Sequence, residues 1–418
     1  MPSLRQPSDV RHVTPPGFSF GSARPEAAGA SASSSALAPG RPWHTTENLS
    51  APSDVQVSQG DVTRCLRRRN RLLLRSVIRQ VTQVSRLAGC GRGVTGNQVA
   101  VKLSPDRAAY VAGVMRCGLI HLCPPCSAKI RDERAKVIAK AAGRWQQAGN
   151  TVYMVTFTAP HDLGMPLEGL LKLISGAFSK VIAGRPWKRV KEQAGIVGTI
   201  RSLEVTHGPN GWHPHLHVLV LVEGDPGAEG LAAMSLHFRG KWRKVITAAG
   251  YRAPSDLHGV KIERCESAAE AGLYISKTQD GRSVGNELAR GDMKRGRDGH
   301  RTPFQIIDDY AEHGYAADLA LWHEYENAMP GHQAITWSKG LKQLLAVTER
   351  TDEEIVEAEE DGEVLVLIDA PDWRIIMKNP GLEADILDAA ESGGAWAVIG
   401  LLADYGIQPS MEDTGRGS

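Results

Sequence analysis

Along the middle of the chain the spacing of apolar positions changes several times, and each change marks an element. Asn150–His161 reads as a strand, because Val152, Met154 or Val155, Phe157 and the threonines suit a pleated, half-buried surface. From Pro166 to about Ala183, Leu167, Leu170, Leu171, Ile174, Phe178 and Ile182 fall along one side of a helix. Ile196–Thr206 and Trp212–Val222 read as two strands joined by His207-Gly-Pro-Asn-Gly211, a turn rich in hairpin formers. Residues 226–249 look helical and Val260–Cys265 reads as a short strand. A helix then starts near Ser267, whose hydroxyl caps it, with Glu270 three residues on as the capping-box partner. Across 150–280 this order describes an α+β domain with a mainly antiparallel sheet flanked by helices. Further on, residues 303–345 read as helical around Trp322 and Trp337, Glu363–Leu367 as a strand, and Gly394–Tyr405 as a helix.

Upstream the pattern differs. Residues 1–60 hold eight of the 23 prolines and a run of Ala, Gly and Ser, too little apolar surface to offset the entropy of ordering, so a disordered tail is expected. Over residues 61–86, seven arginines from Arg64 to Arg79 are interleaved with Leu66, Leu73, Val77, Val81 and Val84 at helical spacing. The expected element is a basic amphipathic helix. Arg67, Arg68, Arg69 and Arg71 are its candidate DNA-backbone contacts, the alternative being a solvated helix face. Residues 87–130 hold a cysteine cluster and run into a charged helix, Ser127 to roughly Arg144. The partition is then a tail (1–60), a basic helix with a cysteine-rich unit (61–149), the α+β domain (150–280), a basic loop and helical region (281–348) and an acidic C-terminal region (349–418).

A chain of 418 residues and 45.1 kDa suits two or three domains. A mean hydropathy of −0.26 and no apolar run near twenty residues give no expectation of a membrane span, and the start of the chain has no apolar signal core, so a cytoplasmic protein is expected. Charge changes the picture more. The net +2 hides 18 acidic against 4 basic residues in 349–418, and 29 acidic against 45 basic before that. A basic body with an acidic tail is one footprint of nucleic-acid handling.

The sharpest chemistry lies in Trp212-His213-Pro214-His215-Leu216-His217-Val218. Residues two apart on a strand share a face, so the three imidazoles project together, a good divalent-metal site. With a turn centred on Pro209–Asn210, Glu204 falls opposite His215 and completes the set of His213, His215, His217 and Glu204. A second constellation is Glu270, Tyr274 and Lys277, placed on one helical face by steps of four and three. A tyrosine is a usable nucleophile when a cation stabilises its phenolate. Taken alone, the segment reads sooner as an amphipathic helix with a tyrosine at the core edge. Cys90, Cys117, Cys123 and Cys126 offer one Cys-x-x-Cys knuckle plus two outlying thiolates, a tetrahedral structural zinc site, with His121 as a substitute ligand. Cys65 and Cys265 are left as plain thiols.

Trp-His-Pro-His-Leu-His-Val-Leu-Val followed some sixty residues later by Glu-x-x-x-Tyr-x-x-Lys closely resembles the rolling-circle replication initiators of Gram-positive plasmids, members of the HUH endonuclease superfamily. Val155–His161, Cys117–Lys129 and Trp337–Leu341 resemble further family segments in the family's order, so the similarity covers about residues 85–350. The resemblance implies an HUH-type nickase domain at 150–280, with His215 and His217 binding Mg²⁺ or Mn²⁺. Tyr274 attacks one phosphodiester of origin DNA, presented single-stranded or as a cruciform. A 5′-phosphotyrosine and a 3′-OH primer result, Glu270 activates water for the closing cleavage, and Lys277 orients phosphate or phenolate. Host helicase and DNA polymerase are the implied partners, and homo-oligomerisation is left open. An HUH transposase or relaxase, or a non-catalytic zinc-dependent DNA-binding regulator, are the competing expectations. The order of histidines before tyrosine, and the chain length, speak against the first two.

Overall fold

β-branched and aromatic residues dominate the hairpin segments, and in the computed structural model of the chain they form its central strands. The structure describes residues 59–267, 272, 299–358 and 361–411, with side chains from residue 64 onward. All of these lie in the second of the two units, 1–49 and 50–418, into which the chain divides. The tail expected over 1–60 therefore falls almost wholly outside the described residues, as does most of the basic loop expected after residue 280.

In chain order the elements begin with α1 (Gln59–Val81), α2 (Ser85–Ala88), β1 (Gln98–Leu103), β2 (Ala109–Ala112) and α3 (Pro124–Gln147). The middle of the chain forms β3 (Thr151–Thr158), α4 (Leu167–Val181), α5 (Gly184–Gln193), β4 (Ile196–Gly208), β5 (Gly211–Val222), α6 (Gly227–Ala248) and β6 (Val260–Arg264). After Gly299 come α7 (Pro303–His313), α8 (Ala316–Ala328), β7 (Ile335–Trp337), α9 (Leu341–Leu344), α10 (Asp352–Glu357), β8 (Glu363–Asp369), α11 (Ala370–Ile376) and α12 (Leu382–Ala403).

The larger sheet is antiparallel in the order β6-β3-β5-β4-β7. Its centre, β5, is buried from Leu216 to Val222 because both faces are covered there. On one face Leu216, Val218 and Val220 meet α4 and α6, where Phe157 packs edge-on against Phe178 at 5.5 Å and Phe238 at 5.4 Å, with Trp242 tilted at 5.0 Å. Such pairs add about 0.5–1.5 kcal/mol each beyond their area. On the other face Leu219 and Leu221, with Val152, Met154 and Ile200, pack under Ile138 and Ala142 of α3. By alternation His213, His215 and His217 share that second face. The α3 helix thus caps its apolar end.

The expected helical stretch 303–345 needs correcting: it breaks at Gly314 and again after Ala328, and Ile335–Trp337 adds an edge strand to β4. Isoleucine, threonine and tryptophan favour a pleated surface, and pairing with β4 outweighs the apolar spacing read as helical. The short strands β1 and β2 and the helix α5 were not legible in the apolar pattern. In the second sheet, ordered β2-β1-β8, Gln98–Leu103 pairs on one side with Ala109–Ala112 and on the other with Glu363–Asp369. The regions 61–149 and 349–418, read as separate along the chain, therefore share one sheet. Over it pack Trp373 of α11 and Ile386, Leu387, Ala390, Val398 and Leu402 of α12. Among the described residues α12 is long and apolar enough, by length and composition alone, to cross a membrane. Here it is the cover of the small sheet, and its first half carries Glu383, Asp385, Asp388 and Glu391.

Candidate functional site

The β4–β5 register decides the geometry of the histidine end. Glu204 stands directly opposite His215 and Ser202 opposite His217, while on the other flank Thr158 and Thr156 of β3 face the same two histidines. Pairing runs on to Gly208 and Gly211, so the turn tightens to Pro209–Asn210. One carboxylate oxygen, Glu204 Oε2, sits 3.0 Å from His215 Nε2 and 2.8 Å from His217 Nε2. The opposite ring nitrogens are held from outside: His217 Nδ1 pairs with Thr156 Oγ1 at 3.2 Å, and His215 Nδ1 faces the His213 carbonyl at 3.4 Å. Fixing Nδ1 turns both Nε2 atoms inward, the way outer partners orient imidazole metal ligands. All three donors lie within 4.8 Å of one another and the set fits a divalent cation. Burial works to raise the Glu204 carboxyl, but the His215 and His217 imidazoles outweigh it and hold it well below the usual carboxylate range. The Glu204 side chain keeps 23% of its surface, so the cluster opens to solvent on one side.

His213 does not join this set. Its ring stacks on His161 at 4.5 Å and 18° and lies 5.1 Å from His215 and 5.8 Å from His300. Burial, with His215, His161 and His300 alongside, pushes His213 down to about 3, so it is neutral at ordinary pH. His300 is a neighbour that sequence reasoning missed. It reaches the site because Gly208 has no side chain: a Cβ there would lie 2.5 Å from His300 Nδ1. Glu270, Tyr274 and Lys277 lie outside the described residues. Gly272, between them in sequence, is described and helical, and sits so close to α3 that a Cβ would meet Ala139 Cβ at 2.9 Å.

The four expected cysteines converge in a buried cluster. Sulfur separations are 3.5 Å for Cys90–Cys123, 3.8 Å for Cys90–Cys126 and 3.7 Å for Cys117–Cys126, and all four are free thiols. Four thiolates at about 2.3 Å from a tetrahedral ion stand roughly 3.8 Å apart, so the spacing fits a metal. His121 is not among them; its Nε2 pairs with the His332 carbonyl at 2.9 Å. Arg75, fully buried, lies beside the sulfurs: burial opposes its charge, but negative charge on Glu383 and on the Cys90 and Cys123 sulfurs holds its guanidinium charged. Arg79 donates to the Cys90 carbonyl, and Trp373 Nε1 donates to the Gly91 carbonyl at 2.9 Å.

The arginines expected at DNA divide. Arg68 is committed to Glu391 and Asp388, and Arg69 to Asp385 (2.6 Å) and Asp388 (3.0 Å), all on α12. Arg75 pairs with Glu383 on the same helix. Arg71 Nε donates to the Arg67 carbonyl at 3.2 Å, and Arg67 points outward. Cys65 donates to Glu391 at 2.7 Å, and burial, then this carboxylate, push its thiol up to about 12. The acidic tail is thus the partner of the basic helix, and part of the charge split cancels within the molecule.

A replication-protein family model, Rep_1, matches residues 111–368, and "Protein rep" of Streptomyces lividans is 35% identical over 350 residues, 68% of this chain and 76% of that one. The chain belongs to the Rep_1 family of replication proteins. The resemblance to Rep proteins of Gram-positive plasmids is thereby upheld. "Neomycin resistance protein" of Streptomyces cyanogenus is 29% identical over 54% of this Rep chain and 67% of its own. "Protein rep" of Streptococcus pneumoniae serotype 2 is 28% identical over 24% of this chain and 32% of its own. No solved structure matches the chain.

Proposed function

We propose that this Rep protein initiates plasmid replication by nicking one strand at the origin. The observation that carries the reading is the convergence of Glu204 Oε2 with His215 Nε2 and His217 Nε2 on one strand face. Tyr274 is the nucleophile: its phenolate oxygen forms a bond to phosphorus, the bond to the 3′ oxygen breaks, and the 3′-OH is released as a primer for host polymerase behind a host helicase. Lys277 orients the phosphate, and Glu270 takes a proton from water in the cleavage that ends the cycle. A divalent cation, Mg²⁺ or Mn²⁺, held by Glu204, His215 and His217 supplies Lewis-acid stabilisation of charge on the phosphate oxygens. In the cysteine cluster a structural zinc ion fits the four-thiolate donor set. The test is nicking of a supercoiled plasmid carrying the origin, with and without Mn²⁺, followed by mass spectrometry of the trapped protein–oligonucleotide adduct. The adduct is expected on Tyr274 and is lost in Tyr274→Phe, while Glu270→Ala still nicks and accumulates multimeric single strands. Metal-independent relaxation, or an adduct on Tyr251 or Tyr310, overturns the reading.

A further inference from the structure

Beside the histidines opens a cleft that the reading above leaves unused. The chain leaving β3 and the chain leaving α6 meet over the first turn of α4 and enclose about 370 Å³, open on one side. Its walls are largely apolar, with Pro160, Met165, Leu170 and Tyr251 among the lining beside Arg252 and Asp162. This volume is at the lower end of small-molecule sites, roughly 300–1,000 Å³, room for one base and its sugar and too little for a duplex.

Its position gives the cleft a ligand. His161, between the lining residues Pro160 and Asp162, stacks on His213, which in turn lies 5.1 Å from the ring of His215. The stacked pair His161–His213 thus links the rim of the cleft to the cluster of Glu204, His215 and His217. Arg252 is held in place by Asp162 Oδ1 at 2.5 Å and the His161 carbonyl at 3.4 Å, yet its side chain stays 67% exposed. A guanidinium has five N–H donors, so others remain to meet a phosphate oxygen or a base edge. An aromatic side chain in an apolar slot with a tethered cation is the chemistry that receives an unstacked base.

We propose that this cleft takes one unpaired base of the origin strand, turned out beside the scissile phosphate and stacked on Tyr251, with Arg252 fixing the adjoining backbone or base edge. The proposal rests on the nickase reading and adds the means by which the strand is registered on the site. Gly169 supplies a clean plug. It lines the cleft on α4, and a Cβ there meets nothing within 4 Å, so Gly169→Phe adds bulk to the cleft lining with no clash at its Cβ.

The experiment uses the full chain and a single-stranded oligonucleotide spanning the nick mapped on the origin plasmid, with one abasic residue placed at each position near the nick. In the wild type one position should weaken binding about tenfold, the scale of losing one stacked base. Gly169→Phe should bind the intact strand as weakly as that abasic one and show no further penalty. With 5-iodouracil at the same position, ultraviolet cross-linking of the wild type should map to Tyr251. A penalty unchanged in Gly169→Phe, no sensitive position, or a cross-link mapping away from the cleft overturns the pocket while origin nicking stands. Wild-type protein that neither nicks nor binds the strand overturns both readings.

Discussion

Glu204, His215 and His217 come from a single hairpin, with Glu204 and His217 only 13 residues apart, and their spacing is the strand register itself. Cys90 to Cys126 come from a loop, a turn and a helix start, and are walled by Arg75 and Glu383, which are 308 residues apart. The first cluster sits on strands that an apolar core already holds, so its polar groups are free to serve chemistry. The second cluster holds its own surroundings together, because it is where α1, α3 and α12 meet. Removing one should cost activity with little stability, and removing the other should cost stability first.

The largest effect expected is on the cysteine side. Structural zinc contributes on the order of 10 kcal/mol to small folding units. Cys123→Ser, or prolonged chelation, should expose the amides of residues 87–130 and of α1 to hydrogen exchange and lower the melting temperature steeply. Active protein that contains no metal at the four cysteines would break the comparison. Next comes His215→Ala combined with His217→Ala. Nicking should fall roughly a thousandfold or more, on the scale of lost transition-state stabilisation, while melting shifts little because Glu204 keeps its access to water. A double variant that nicks at the wild-type rate, or that fails to fold, would equate the two clusters.

Glu383→Ala should follow, destabilising the protein by about 3–5 kcal/mol, because it leaves the fully buried Arg75 guanidinium without its carboxylate. Denaturant midpoints at pH 7 measure it. The same pair sharpens the comparison through pH. Burial would raise Glu383, but Arg75, Arg116 and Arg79 outweigh it and hold its pKa below the ordinary 4.5. The unfolded chain then binds this proton at higher pH than the folded one. The stabilisation is therefore complete above about pH 4.5 and drains as pH falls toward the folded value, by at most about 1.4 kcal/mol per pH unit. Exchange protection in β8 and α12 should drop between pH 5 and pH 3, and drop less in Glu383→Gln; equal loss in both would refute the assignment. The smallest effect is at Arg67, which is exposed: Arg67→Ala should weaken DNA binding less than about threefold and reduce the salt dependence by about one phosphate contact. A larger loss would place DNA on the outer face of α1.

How legible each part was follows from how far its contacts reach along the chain. The strand–helix–hairpin order of 150–265 was readable because alternation and helical spacing are local properties, and the placement of Glu204 against His215 followed from a turn of two residues. The edge strand Ile335–Trp337 was not readable, since three residues carry too short a pattern to declare their period and only the β4 edge selects the extended form. His300 gave no signal either, its approach depending on the missing side chain of Gly208 more than ninety residues earlier.

By itself, then, the sequence determined which side chains share a strand face and which thiols belong to one knuckle, because strand alternation and tight turns act within a few residues. It also carried the net opposition of a basic front and an acidic end. Only the tertiary structure decided what that opposition is for at α1, where Arg68, Arg69 and Arg75 face carboxylates of α12 instead of solvent. It also turned His213 away from Glu204, His215 and His217, toward His161. The reason is the same in both cases: a charge or an imidazole accepts any of several partners at similar energy, and which one it meets is set by the packing of apolar surfaces far away in the chain.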